Sequence, residues 1–247
     1  MRPVEKAKEG DVLVYHNTND TDVNLTVQSD YPVYGSAKNP LMANLGCYCS
    51  YCENDKDEED LKVEHVAAKS KGGSETNWEN FLLSCGVCNS VKGGKVIDGA
   101  TCHLPHLNNT YMSLVYGAGG RVKVNDALSG VSRQKAEELF DTLKLGRYPK
   151  ENEKPTERDA RWHNRLEVWN EAVDLRNKYE LHTLTETDIL KRAREKGCWS
   201  VWFTVFRGCD ELRKTLIDGF EGTCAQCFDP ANKYDPIPRN IGEADYV

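Results

Sequence analysis

"CSYCENDKDEEDLKVEHVAAKSKGGSETNWENFLLSCGVCNSVKGGK", residues 49–95, opens and closes on a Cys-x-x-Cys pair. Cys49 with Cys52 and Cys85 with Cys88 supply four thiols, with 32 residues between the pairs. Each pair can present two sulfurs from one tight turn, and four sulfurs suit a tetrahedral zinc ion. Cys47 competes for the first position, but its spacing to Cys49 is tighter than a knuckle uses, so it reads as a spare thiol. A zinc held by four thiolates has no open coordination position, which makes it a staple rather than a reagent. Any chemistry must come from what the staple holds in place: Glu64, His65, Asn80 and Asn89.

The segment between the knuckles reads as two short strands and a helix. "LKVEHVA" alternates as a strand does, which sends Glu64 and His65 to opposite faces. "NFLLSC" gives a second strand after the Gly72–Gly73 loop, and "CGVCNSVKGG" turns from the knuckle into a short helix. A neutral imidazole can take a proton from water near pH 7. A carboxylate with a neutral oxygen donor suits Mg²⁺, which prefers oxygen and keeps several waters. Those are parts for phosphodiester hydrolysis, in which a divalent ion neutralises charge growing at phosphorus and on the leaving oxygen.

In order and spacing, "CSYC…VEHVAAKSKGG…NWENFLLSCGVCNSVKG" resembles the HNH nuclease family in its four-cysteine form, whose fold is a ββα-metal finger. The resemblance covers about a fifth of the chain. It implies that His65 is the general base and that Glu64 and Asn89 hold a catalytic divalent ion, Mg²⁺ or another. It further implies that Asn80 fixes the loop and orients the base, and that the products carry 5′-phosphate and 3′-hydroxyl ends. Ala68 departs from the proline that many members have before the equivalent of "KS", a position that shapes the loop. Lys69, Lys71, Lys92 and Lys95 are candidate contacts to nucleic-acid phosphates.

Working outward, the first 46 residues mix strand-like pieces ("DVLVYH", "VNLTV") with turns, and "NPLMANLG" predicts a helix over 39–46. "YMSLVYGAGGRVKV" predicts a β-hairpin. Beyond Val131 the pattern becomes helical. Ser132 is the expected cap of a helix to about Leu145, and Thr156-x-x-Asp159 that of a long helix to about Tyr179. Trp162, Leu166, Trp169 and Val173 fall on one stripe of the latter, expected as packing. Thr185-x-x-Asp188 opens another helix, closed by Gly197, and Val205, Cys209, Leu212, Leu216 and Phe220 give a last helical face. The expected architecture is α+β: an N-terminal extension (1–46), a zinc-stapled core (47–96), a hairpin extension (97–130) and a helical domain serving as partner interface (131–247). Cys198, Cys209, Cys224 and Cys227, or Cys102 with His103 or His106, are the remaining candidates for a second zinc.

The chain has 247 residues, 39% of them hydrophobic and 29% charged, ordinary for a globular protein. No apolar run approaches the length of a membrane span, and the N-terminus lacks the apolar core of a secretory signal. A cytoplasmic, reducing setting is therefore the expectation, in which clustered cysteines bind metal. The net charge of −7 argues against strong autonomous binding to nucleic acid. Residues 53–60 carry six acids against one lysine, but 61–96 carry five lysines against three glutamates. The start "MRPVEK", the core at about 50–95 and the helical tail also resemble the HNH subunit of Septu-type antiphage systems. The HNH resemblance implies DNA as the favoured substrate, and the Septu-type resemblance implies an ABC/SMC-like ATPase as partner, which could supply the missing grip. RNA such as tRNA as substrate, or a non-enzymatic zinc-stapled adaptor, are the alternatives.

Overall fold

The structure, a computed structural model, describes residues 1–16, 21–95, 97–240 and 244–247. Val96, the last residue of the expected core, lies outside them. In chain order the protein begins with a hairpin, β1 (Val12–His16) and β2 (Asp22–Thr26), followed by α1 (Lys38–Leu45), which stops at Gly46. The finger comes next: β3 (Leu61–His65), β4 (Phe81–Cys85) and α2 (Gly86–Lys92). A single turn, α3 (Thr110–Ser113), leads into the hairpin of β5 (Leu114–Gly117) and β6 (Arg121–Val124). Five helices follow: α4 (Gly130–Thr142), α5 (Arg161–Glu180), α6 (Glu186–Lys196), α7 (Trp199–Val205) and α8 (Asp210–Asp218). A minimal pair, β7 (Phe228–Asp229) and β8 (Asp235–Pro236), lies near the C-terminus. All the sheets are antiparallel pairs, so the class is α+β, as the sequence pattern indicates.

In the finger, β3 and β4 pair from Leu61 opposite Cys85 to His65 opposite Phe81. This register brings the second knuckle to the start of the strand that ends in Glu64–His65. One hydrophobic core runs through the molecule: Leu41 and Leu45 of α1, Leu61 and Phe81–Leu83 of the finger, and Trp199, Trp202 and Phe203 of α7 are all buried in it. The chain before the finger is tied to it by polar contacts as well. Lys6 is buried, and its ammonium donates to the carbonyls of Trp78 and Phe81, while the Trp78 indole donates to Ala7 at 2.8 Å.

The helical half grips the first knuckle directly. Glu53 has a left-handed backbone (φ 63°) and is buried. Its carboxylate accepts from the Arg2 amide and the Ser200 hydroxyl, and its carbonyl accepts from the Cys198 amide at 2.7 Å. The first acid of the "ENDKDEED" run is thus an internal brace, not part of a solvated charge run.

Several helix boundaries differ from the sequence expectation. Ser132 does not cap α4; the cap position is Ser129, and the buried Ser132 hydroxyl donates to Asp245. Asp245 also receives Lys135 and faces His103, pinning the C-terminal residues. Helix α5 starts at Arg161, not after Thr156, because the Asp159 carboxylate is taken by Arg161 instead of returning to Thr156. The box at Thr185–Asp188 does form, with both reciprocal bonds. The last apolar face is split between α7 and α8 by a turn in which Gly208 adopts φ 88°, a conformation that breaks a helix. On α5 the buried stripe is Arg161, Arg165, Val168 and Ala172; Trp162, Leu166 and Trp169 flank it half-buried and Val173 is exposed. Arginines can replace the expected aromatics inside because each finds carbonyl acceptors: Leu143 and Lys144 for Arg161, Gly120 and Leu145 for Arg165.

Candidate active site and metal centre

The sulfurs of Cys49, Cys52, Cys85 and Cys88 lie within 4.8 Å of one another, all buried, and none is in a disulfide. Two sulfurs bound to one zinc at about 2.3 Å in a tetrahedron stand about 3.8 Å apart, and Cys52 and Cys85 are 3.8 Å apart. The backbone is shaped for the same job. Cys85 is the N-cap of α2 and accepts from the Cys88 amide at 3.5 Å, while the Ser50 amide donates to Leu83 and binds the first knuckle to β4. Hydrogen bonds from Cys49 and its neighbours hold Cys85 far below the usual thiol range, and the same contacts hold Cys52 above it. Four buried thiols this close cannot all ionise without a cation, so the donor set fits zinc.

Arg161 completes the centre from outside the motif. Its guanidinium donates to Cys88 Sγ at 3.4 Å and to both Asp159 oxygens at 2.8 Å. Burial works against its charge, but Asp159 and the Cys88 and Cys52 sulfurs outweigh it and hold the guanidinium firmly protonated. Nothing local in the sequence points to Arg161, 73 residues beyond Cys88.

His65 ends β3, nearly buried, with its ring edge-on to Phe81 and Tyr34 at 5.0 Å each. Its Nε2 lies 3.1 Å from the Glu75 carbonyl, an acceptor only, so Nε2 carries the proton. Nδ1 is then unprotonated; it has no partner among the described residues and is not sealed from solvent. Burial, with the positive charges of Lys69 and Lys92, holds the imidazole below its ordinary pKa despite the Glu75 bond, so it is neutral near pH 7.

The Glu75 carbonyl is where it is because of Asn80. The Asn80 carboxamide accepts from the Ala67 amide (2.8 Å) and donates to the carbonyls of Ala67 (3.0 Å) and Ser74 (2.7 Å), closing the 67–74 loop. Gly73 is required there, since a Cβ would stand 1.9 Å from the Ala67 oxygen.

Glu64 points to the other side of β3, under α2. It is 4% exposed, and Oε1 lies 2.5 Å from Lys92 Nζ. Burial pushes the carboxyl up and Lys92 opposes that shift. Asn89 sits one turn before Lys92 on α2, half-buried, and its carboxamide has no partner among the described residues. Lys69, Lys71 and Lys95 are exposed, as a phosphate contact requires. Lys92 is not: it is 2% exposed and paired with Glu64 inside the protein.

Sequence reasoning also missed Tyr34. It lies in a short helical turn before α1, is 43% exposed, and carries the Lys69 ammonium 4.7 Å above its ring. No periodic pattern marks a lone tyrosine brought to His65 by the fold. Among the described residues no second group of three or more metal-ligating side chains forms. His103 spends both ring nitrogens on Ser113 and Asp245, the Cys198 thiol donates to Asn54, and Cys47 stays outside the cluster.

This arrangement is a ββα finger, closed by four clustered thiols that fit zinc, presenting a neutral histidine and a neighbouring carboxylate. Residues 49–105 match the family model of the HNH endonucleases, ten residues beyond the stretch that the sequence motif spans. No curated protein matches the chain. No helix among the described residues is long and apolar enough to cross a membrane.

Proposed function

We propose that the protein is a metal-dependent endonuclease that hydrolyses phosphodiester bonds, with DNA the favoured substrate. The observation that carries this reading is the Nε2 bond of His65 to Glu75, which leaves Nδ1 free as a base inside a segment matching the HNH endonuclease model. His65 Nδ1 takes a proton from water, the water oxygen bonds to phosphorus, and the P–O3′ bond breaks with its electron pair on O3′, which takes a proton from solvent, to leave 5′-phosphate and 3′-hydroxyl ends. Glu64 and Asn89 would hold Mg²⁺ or a similar ion, an oxygen-donor pair that such ions favour. That ion supplies neutralisation of the charge on the transferring phosphate. Asn80 positions the base through the loop, and Lys69, Lys71 and Lys95 contact the phosphate backbone.

The net charge of −7 leaves little surface for holding nucleic acid unaided. This favours a nuclease effector of a Septu-like antiphage system, restrained and delivered by an ABC/SMC-like ATPase. The test is nicking of plasmid DNA with Mg²⁺, with single-stranded DNA and tRNA as parallel substrates. Parent protein should cleave and His65→Ala should not, with zinc content and circular dichroism unchanged. Cleavage by His65→Ala at the parental rate would refute the assignment; cleavage of tRNA alone would move the substrate to RNA.

A further inference from the structure

Lys92 differs from every other lysine of the finger. Its side chain is 2% exposed, with Nζ 2.5 Å from Glu64 Oε1 and 2.7 Å from the His65 carbonyl that it donates to. A lysine is rarely buried unless it is paired, because its lost hydration must be replaced. Here the replacement is the carboxylate assigned above to the catalytic ion. Asn89, the other assigned ligand, lies one turn away on the same helix, its carboxamide without a partner among the described residues.

We infer that Lys92 is the resting cation of the Glu64 site: a divalent ion binds there only as the ammonium leaves, and the substrate phosphate is what receives it. The inference rests on reading Glu64 as a metal ligand. Two cations on one buried carboxylate repel each other across a poorly screened gap, so ammonium and metal compete. The displaced ammonium needs another anion. For an ion on Glu64 to serve a phosphodiester attacked from His65, that phosphate must sit at the end of β3, where Lys92 already donates to the His65 carbonyl. Metal binding and nucleic-acid binding then become linked, each strengthening the other by the same factor. The unloaded protein is a weak metal binder, and the exposed phosphate contact expected of Lys92 becomes a property of the substrate-bound state.

The experiment is a Mn²⁺ titration, followed by the electron paramagnetic resonance of free Mn²⁺. It uses the zinc-loaded full chain carrying His65→Ala, so that nothing is cleaved. Three proteins are compared, this parent and its Lys92→Gln and Glu64→Gln derivatives, each with and without a single-stranded oligodeoxynucleotide. Without DNA, Lys92→Gln should bind Mn²⁺ roughly tenfold more tightly than the parent. DNA should tighten Mn²⁺ binding to the parent by a similar factor and leave Lys92→Gln nearly unmoved. Equal affinities for parent and Lys92→Gln would overturn the inference while leaving the metal site standing. An unchanged affinity in Glu64→Gln would remove the metal site itself, and the inference with it. Should Lys92→Gln fail to fold, the parent alone decides the matter. The Lys92 ammonium ¹⁵N signal, protected at rest, should lose its protection once Mg²⁺ and DNA are bound, and a signal that stays protected overturns the inference.

Discussion

Arg161 Nη1 stands 3.4 Å from Cys88 Sγ, while Asp159 holds the other side of the same guanidinium. The first residue of the long helix thus touches the four-cysteine cluster that fits zinc. Four thiolates around Zn²⁺ carry a net charge of about −2, and a buried arginine offsets part of it.

Arg161→Ala should therefore do more than delete a contact. It leaves the buried Asp159 (2% exposed) with the longer Arg147 contact at 3.4 Å in place of its two Arg161 bonds, a loss of up to about 3–5 kcal/mol for a pair of this kind. Urea denaturation should report that loss, and chelator challenge should strip zinc faster than from the parent. Cys85→Ser sets the limit of complete zinc loss and unfolding. If Arg161→Ala keeps both stability and zinc, the arginine is incidental.

Gly73→Ala tests the chain of contacts that fixes the histidine. The new Cβ would collide with Ala67, and the carbonyls of Ser74 and Glu75 lie one and two residues on. Releasing Glu75 frees Nε2 and lets the imidazole choose its tautomer. We expect ¹⁵N spectra of His65 to change from Nε2-protonated to a mixture, with cleavage falling roughly 100-fold. An unmoved tautomer would break the proposed link from Asn80 to His65.

How much of this was legible beforehand follows from the range of each interaction. The zinc ligands, both finger strands, α2 and the Asn80 loop lie within one continuous stretch, so spacing and alternation were enough. Tyr34, Arg161 and the Glu53 brace are joined to the site by tertiary packing, with no periodic mark. The helix starts failed where a side chain had a better partner far away: Ser132 on Asp245 and Asp159 on Arg161. Burial of Lys92 was hidden for the same reason, since pairing with Glu64 requires knowing that α2 lies over β3.

Cleavage should depend on pH through His65. Burial, with Lys69 and Lys92 nearby, holds the imidazole below its ordinary 6.5. The acid limb of kcat/KM should accordingly fall below pH 6.5 and the profile should be flat above it. A limb above 6.5 would contradict this environment.

Stability at low pH is a separate matter and turns on His106. Burial, aided by the charges of Lys6 and Arg239, pushes this histidine down to about 3 from 6.5. The folded state therefore binds fewer protons than the unfolded one between those values. Its contribution is intact above pH 6.5 and is lost as pH falls toward about 3, on the order of a few kcal/mol in total. His106→Gln should flatten the fall in urea stability between about pH 6.5 and 4 relative to the parent. Loss of zinc at low pH is common to both proteins and cancels in the comparison. A parental slope in the variant would move the acid sensitivity elsewhere.

Tyr34 offers the site an exposed aromatic face beside the proposed base. Its ring lies 5.0 Å from His65, the residue is 43% exposed, and the exposed Lys69 ammonium stands above the ring. An unpaired base beside the cleaved bond could replace the ammonium on that face, and base–aromatic stacking contributes about 1–3 kcal/mol. Tyr34→Ala should weaken binding of a single-stranded oligonucleotide roughly 10- to 100-fold, whereas Tyr34→Phe should keep it. Fluorescence anisotropy in the His65→Ala background measures this without turnover. Duplex affinity should change much less, because paired bases cannot reach the ring. If both substrates lose affinity equally, Tyr34 acts by holding His65 and Lys69 in place, and the stacking assignment fails.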